Sequence, residues 1–108
     1  MVSPVREKKI ESYLLAQCRK HGFLCLKFTS PGRAGVPDRL LVTPAATVFV
    51  EVKRPGETPR KQQVVMHHKI RRFGGQVHVV DSEASVDALI THLRAGGTPQ
   101  PAPLPISA

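Results

Sequence analysis

Tryptophan is absent from this sequence, tyrosine occurs once, and aromatic residues make up only 5% of 108 positions. Few flat rings are on hand to stack single-stranded RNA, which disfavours an RNA-binding module. Cysteine is scarce as well. Cys18 and Cys25 are too few for a disulfide framework, no Cys/His pairing has zinc-ligand spacing, and the two read as reduced core thiols. No apolar run approaches the roughly 18 residues that span a bilayer. The opening Met1-Val2-Ser3-Pro4-Val5-Arg6-Glu7-Lys8 lacks the apolar stretch of a secretory signal. Membrane, secreted and zinc-finger classes are set aside on these grounds.

Negative charge is the remaining shortage. Eight Asp and Glu face sixteen Lys and Arg, a formal charge of +8. A small domain this basic points to a polyanion, nucleic acid first; the bland alternative is a solubilising surface. Residues 1–54 hold ten Lys and Arg but only four acids, Glu7, Glu11, Asp38 and Glu51. Carboxylates so sparse in a basic half invite the question of what each one does.

Hydrophobic residues at 41% suffice for one modest core. The reading is a single domain over 1–95 and an uncharged tail over 96–108, where Pro99, Pro101, Pro103 and Pro105 favour an extended or frayed chain. Ile10, Tyr13, Leu14 and Cys18 recur at helical steps, so 5–21 is a helix ending at Gly22, with Glu7 and Glu11 on one face. Phe23 to Phe28 suits a strand, and 29–37, with two Pro and two Gly, a loop. Thr58 as N-cap and Pro59 at the first helical position open a second helix whose stripe is Gln63, Met66, Ile70 and Phe73 and which ends at Gly74-Gly75. Gln76 to Val80 is a further strand. Val86, Leu89, Ile90 and Leu93 mark a third helix, with Ser82 as its cap. The order is α-β-β-β-α-β-α.

Between the loop and the second helix lie two strand signals, Asp38 to Thr43 and Thr47 to Lys53. An antiparallel hairpin turning at Pro44-Ala45 pairs residues whose numbers sum to 89, so Asp38 faces Glu51, Leu40 faces Phe49 and Leu41 faces Val48. Opposed residues sit about 5 Å apart at Cβ. Alternation puts Phe49, Glu51 and Lys53 on one side and Val48, Val50 and Val52 on the other. Two acids held together repel unless something positive lies between them. A hard divalent cation such as Mg²⁺ is the natural answer, able to activate water and stabilise charge on a phosphoryl group. Lys53, on the same face, would orient the water or neutralise developing charge. Gln63 opens an apolar stripe and should point inward at this end. Taken singly, Glu-Val-Lys is usually a solvated strand face, Pro37-Asp38 an ordinary turn, and Glu7 and Glu11 helix-surface acids. Lys27, Arg33 and Arg39 lie near the acidic end and suit phosphate contacts, with solvated surface the alternative for Arg33. His67 and His68, being adjacent, cannot both face one metal from a helix and read as surface or core residues.

Gly35-Val36-Pro37-Asp38-Arg39, then Phe49-Val50-Glu51-Val52-Lys53, then Gln63 resemble the VRR-NUC (virus-type replication-repair nuclease) branch of the PD-(D/E)XK nucleases. Glu7-Lys8-Lys9-Ile10-Glu11, Leu26-Lys27-Phe28 and Ser30-Pro31-Gly32 extend the resemblance from about residue 7 to about residue 90. It implies an α/β fold, a restriction-endonuclease-like core with a mixed central sheet flanked by helices. It implies that Asp38 and Glu51 bind Mg²⁺ or Mn²⁺, that the Val52 carbonyl and Glu7 help ligate it with Glu11 as substitute, that Lys53 is the catalytic lysine, and that Gln63 is the glutamine opening the following helix. It also implies a homodimeric endodeoxyribonuclease selective for branched DNA such as Holliday junctions, of phage or prophage origin, working in a bacterial cytoplasm. The competing readings are a sequence-specific restriction-type nuclease and a non-catalytic basic DNA-binding module.

Overall fold

The computed structural model describes residues 4–96, so all of the Pro-rich tail except Gly96 lies outside the described residues. Seven elements follow in the expected order: α1 (Pro4–Lys20), β1 (Leu24–Lys27), β2 (Arg39–Val42), β3 (Thr47–Val52), α2 (Lys61–Arg72), β4 (Val77–Val80) and α3 (Glu83–Arg94). The strands form one mixed sheet in the order β1-β2-β3-β4, antiparallel except for the parallel β3/β4 pair. A parallel pair needs a long crossover, and α2 supplies it.

The hairpin register is the one the sum of 89 requires, with Leu40 opposite Phe49 and Leu41 opposite Val48. Its corner is closed by a side chain. Thr43 Oγ1 donates to the Ala46 carbonyl at 2.8 Å and accepts the Ala46 N–H at 3.0 Å. Alternation along β3 then assigns the two faces. Val48, Val50 and Val52 are buried with Leu41 and Val80 under Ile10, Leu14 and Cys18 of α1 and Val86, Leu89, Ile90 and Leu93 of α3. Burying each such Val or Leu contributes about 1.5–3 kcal/mol, which fixes the register, since a one-residue slip would turn every valine outward. Tyr13 packs at the edge of this layer and its hydroxyl donates to Asp87 Oδ1 at 2.6 Å, tying α1 to α3. Phe49 and Glu51 face the other way, toward α2.

Two expectations for α2 need correction. The helix starts at Lys61 with Arg60 as N-cap, not at Pro59 after a Thr58 cap. The Gln63 side-chain oxygen accepts the Arg60 N–H at 2.8 Å, and that reach-back from the third helical residue sets the start two residues later. At the other end Phe73 leaves the inward stripe: it is 78% exposed at the C-cap, whereas Met66 and Ile70 are half-buried. Arg71 turns back and donates from Nη2 to the Val77 carbonyl at 2.8 Å. The ladder uses the Gln76 and Val80 carbonyls to receive Phe49 and Lys53 N–H, so the Val77 carbonyl lies on the open edge of β4. A guanidinium there blunts an edge that would otherwise invite another strand.

The loop before β2 is anchored by an absence of side chain. Gly35 has φ +82°, and a Cβ on it would stand 2.5 Å from the Gln62 carbonyl oxygen and 3.2 Å from Gln63 N. The loop carrying Pro37 and Asp38 is thereby pressed against the first turn of α2. Gly32 shares the left-handed backbone, φ +78°, with nothing within 4 Å. Gly35→Ala is therefore expected to destabilise by about 2–4 kcal/mol, backbone strain plus overpacking, against about 1 kcal/mol for Gly32→Ala. Urea unfolding of both variants would check this, and equal losses would mean that the loop does not lean on α2.

Candidate active site

The site gathers at the end of the sheet where β3 runs out. Asp38 precedes β2, and its Oδ2 accepts the Val52 N–H at 2.8 Å, so the loop acid is held by the backbone of the strand that carries Glu51. Glu51 is 2% exposed. Gln63 Nε2 donates to its Oε2 at 3.3 Å, and His67 Nε2 stands 3.3 Å from its Oε1. For Glu51 to accept this contact as a carboxylate, His67 must carry a proton on Nε2. Gln63 does two jobs: its oxygen caps α2 while its amide nitrogen holds Glu51. A glutamate at 63 could still cap, but it would set a second negative charge against Glu51.

Lys53, 4% exposed, places Nζ 3.9 Å from Glu51 Oε2 and 3.6 Å from Glu57 Oε1. Glu57 arrives through the turn Arg54-Pro55-Gly56-Glu57, in which the Glu57 N–H donates to the Arg54 carbonyl at 2.9 Å and Gly56 has φ +79°. Proline then glycine at the two central positions is what such a turn favours. Arg54 in turn meets Glu57 Oε2 through Nη2 at 2.6 Å and lies 3.9 Å from Glu7 Oε2 through Nε. Acids and bases alternate across the end of the sheet.

The carboxyl of Asp38 is pushed up to about 6, first by burial and further by the neighbouring Glu51 carboxylate, with the Val52 N–H and Lys53 pulling the other way. Two acids crowded together, one of them reluctant to ionise, form a set of hard oxygen donors that a divalent cation would relieve. In that sense the pair fits a metal. Among the described residues no three His, Cys, Asp or Glu side chains stand together as a metal-sized cluster, so the two acids are the nucleus of any such centre. Glu7 stands at its rim beside Arg54, and Glu11 is occupied by Arg39 at 2.9 Å.

Of the expected phosphate contacts, Lys27 and Arg33 are exposed. Arg39 is not: its side chain is 14% exposed and bridges to Glu11. Position in the sheet explains the difference between the two strand residues: Lys27 is on the edge strand β1 and Arg39 on the inner strand β2. Lys27, Arg39 and Val50 form one row on the α1 face of the sheet, while Asp38 and Glu51 serve the opposite face.

His67, read from sequence as a surface or core residue, is buried as the second of these, but its contact with Glu51 was not foreseen, and Glu57 was not singled out at all. His67 lies four residues after Gln63, hence on the same helical face, a spacing that could have found it. Glu57 lies four after Lys53 across a Pro-Gly turn, which was legible too.

No family model matches the chain. Over 80 residues it is 46% identical to the protein named "Putative nuclease p44" of Acyrthosiphon pisum secondary endosymbiont phage 1, a match spanning 73% of this chain and 86% of that one. A solved structure described as a VRR_NUC domain aligns with a TM-score of 0.75 and 35% identity, over 81% of this chain and 96% of that chain. The chain belongs to the VRR-NUC family. The VRR-NUC fold and the phage relative together support a nuclease, and nucleases of this fold typically use divalent metals. Among the described residues no helix is long and apolar enough to cross a membrane.

The raised Asp38 carboxyl gives this VRR-NUC protein a testable pH response. An aspartate whose folded value lies above its ordinary 3.8 takes up more protons when folded than when unfolded between about 4 and 6. Stability of the metal-free protein should therefore fall as pH rises through that window. Asp38→Asn keeps an oxygen for the Val52 N–H and removes the charge. In EDTA its melting temperature should exceed wild type at pH 7.5, with the gap closing near pH 4. A gap that does not vary with pH would place the cost elsewhere.

Proposed function

We propose that this chain is a Mg²⁺- or Mn²⁺-dependent endodeoxyribonuclease that hydrolyses phosphodiester bonds in branched DNA, Holliday junctions or related replication and repair intermediates. The observation that carries the reading is the convergence of Asp38, Glu51 and Lys53 at one end of the sheet of a chain with charge +8. Asp38 and Glu51 would hold the cation, with the Val52 carbonyl and Glu7 completing its surroundings. When bound, it supplies Lewis acidity to the phosphodiester and to the attacking water.

The remaining roles belong to the chain itself. Lys53 presents a buried ammonium to the reacting phosphate, where charge develops and where its two acid partners hold it in place. Gln63 and His67 hold Glu51 by both oxygens so that its free lone pairs keep one direction. Lys27 and Arg33 contact phosphates outside the reacting one; Arg39 does so from its bridge with Glu11. Among the described residues no recognition helix or zinc module offers itself to read bases, so selection rests on DNA shape and deformability. Two symmetric cuts across a junction need two sites, which a homodimer would bring, in the bacterial cytoplasm where a phage enzyme meets its DNA.

The test is cleavage of a labelled four-way junction and its matched linear duplex with Mg²⁺, Mn²⁺ or EDTA. Wild type should cut the junction only with metal, Asp38→Asn should not cut, and Lys53→Met should lose about a hundredfold or more in kcat. Cutting of linear duplex at fixed sequences would favour the restriction-type reading. Binding without cutting under every metal would reduce the chain to a basic DNA-binding module.

A further inference from the structure

Beside the candidate site, a groove of about 640 Å³ runs between the loop bearing Arg33 and the outer flank of α2. Phe49, Met66, Ile70 and Phe73 line it with Gly75, and Arg33 and Lys69 stand among them as its charged residues; no acid lines it. The chain has four phenylalanines, and two of them line this groove while a third backs it. Phe28 meets Phe49 edge-on at 5.4 Å between ring centroids, which fixes the inner ring. Phe73 is 78% exposed, and the Arg72 guanidinium lies 5.9 Å from its ring centroid. An aromatic so exposed beside Arg72 and Lys69 does not contribute to the core. At Gly75 a Cβ would stand 2.5 Å from Ile70 Cγ2 and 3.5 Å from the Phe49 ring, so the missing side chain leaves that wall open.

We propose that this groove takes an unpaired nucleotide of the DNA substrate, its base against Phe73 and Phe49 and its flanking phosphates on Arg33 and Lys69. The charge pattern selects the occupant. A second copy of a +8 chain would set one basic rim against another, and a neutral apolar molecule would leave both cations unused. An unpaired strand supplies flat apolar faces and negative charge together, whereas a base inside a duplex has no free face to offer. Position agrees. Phe49 and Glu51 share one strand face two residues apart, about 6–7 Å, so a base in the groove lies a nucleotide or two from the phosphate at Glu51. The proposal rests on the nuclease reading and narrows it: the preferred branched substrate has single-stranded nucleotides at the branch, as a fork or flap does.

The experiment reads binding and cutting separately. Fluorescence anisotropy in EDTA compares a fully paired duplex with the same duplex carrying a single-stranded flap. Phe73→Ala should weaken flap binding about tenfold and leave duplex binding unchanged, Phe73→Tyr should restore it, and Lys69→Ala should lower the salt slope on the flap by about one. Because Phe73 is exposed, thermal melts should show all three variants folded. Equal effects of Phe73→Ala on both DNAs, or none on either, would overturn the groove. So would light scattering in which Phe73→Ala turns a wild-type dimer into monomers, since the groove would then be a contact between chains. Failure of the nuclease reading looks different: flap-selective binding that depends on Phe73, with no cutting by wild type under Mg²⁺ or Mn²⁺.

Discussion

A carboxylate withdrawn from water must be met by donors or by opposite charge, and Glu51 at 2% exposure is where this fold faces that demand. Its position is not free to change. The valines on either side of it must face α1 and α3, so alternation drives Glu51 into the other layer, against α2. The helix answers with Gln63 and His67, one turn apart, and the strand with Lys53 two residues on. Shifting β3 by one residue would expose the valines and strand the acid. Core and site thus share a single register.

The same constraint explains the loop before β2. Asp38 reaches the Val52 N–H only because the chain from Pro31 to Pro37 folds against α2, and it folds there because residue 35 has no side chain. Loop, strand and helix meet within the first turn of α2, where Gln63 caps the helix with one end of its amide and holds Glu51 with the other. Substitutions at Gly35 or Gln63 therefore reach the acid pair through the scaffold, without touching either carboxylate.

Much of this was legible in the sequence. The element order and the pairing of Leu40 with Phe49 follow from apolar period and from a corner only two or three residues long. Asp38, Glu51, Lys53 and Gln63 came together as expected. The start of α2 did not follow, because Thr58-Pro59 is a good opening signal that lost to a side chain three residues into the real helix. Phe73 did not follow either: periodicity puts it on the stripe, but the helix ends just where it would have turned inward. The bridge from Arg39 to Glu11 was not foreseen. One residue from Asp38 is the opposite face of a strand, and there Glu11 meets it.

Asp38 carries the last step. Burial beside Glu51 pushes its carboxyl up to about 6, with Lys53 and the Val52 N–H pulling the other way, so it becomes an anion only toward neutral pH. A neutral residue would relieve the crowding but would leave nothing to attract a divalent ion. A lysine close enough to neutralise both acids would compete with that ion for the same oxygens. Lys53 stands at 3.9 Å from Glu51 and is drawn the other way by Glu57 at 3.6 Å. Glu57 therefore matters to the site: it shares the lysine with Glu51. Ion pairing within the site leaves the Asp38–Glu51 pair only partly compensated, and that uncompensated charge is what would attract the divalent cation proposed for it.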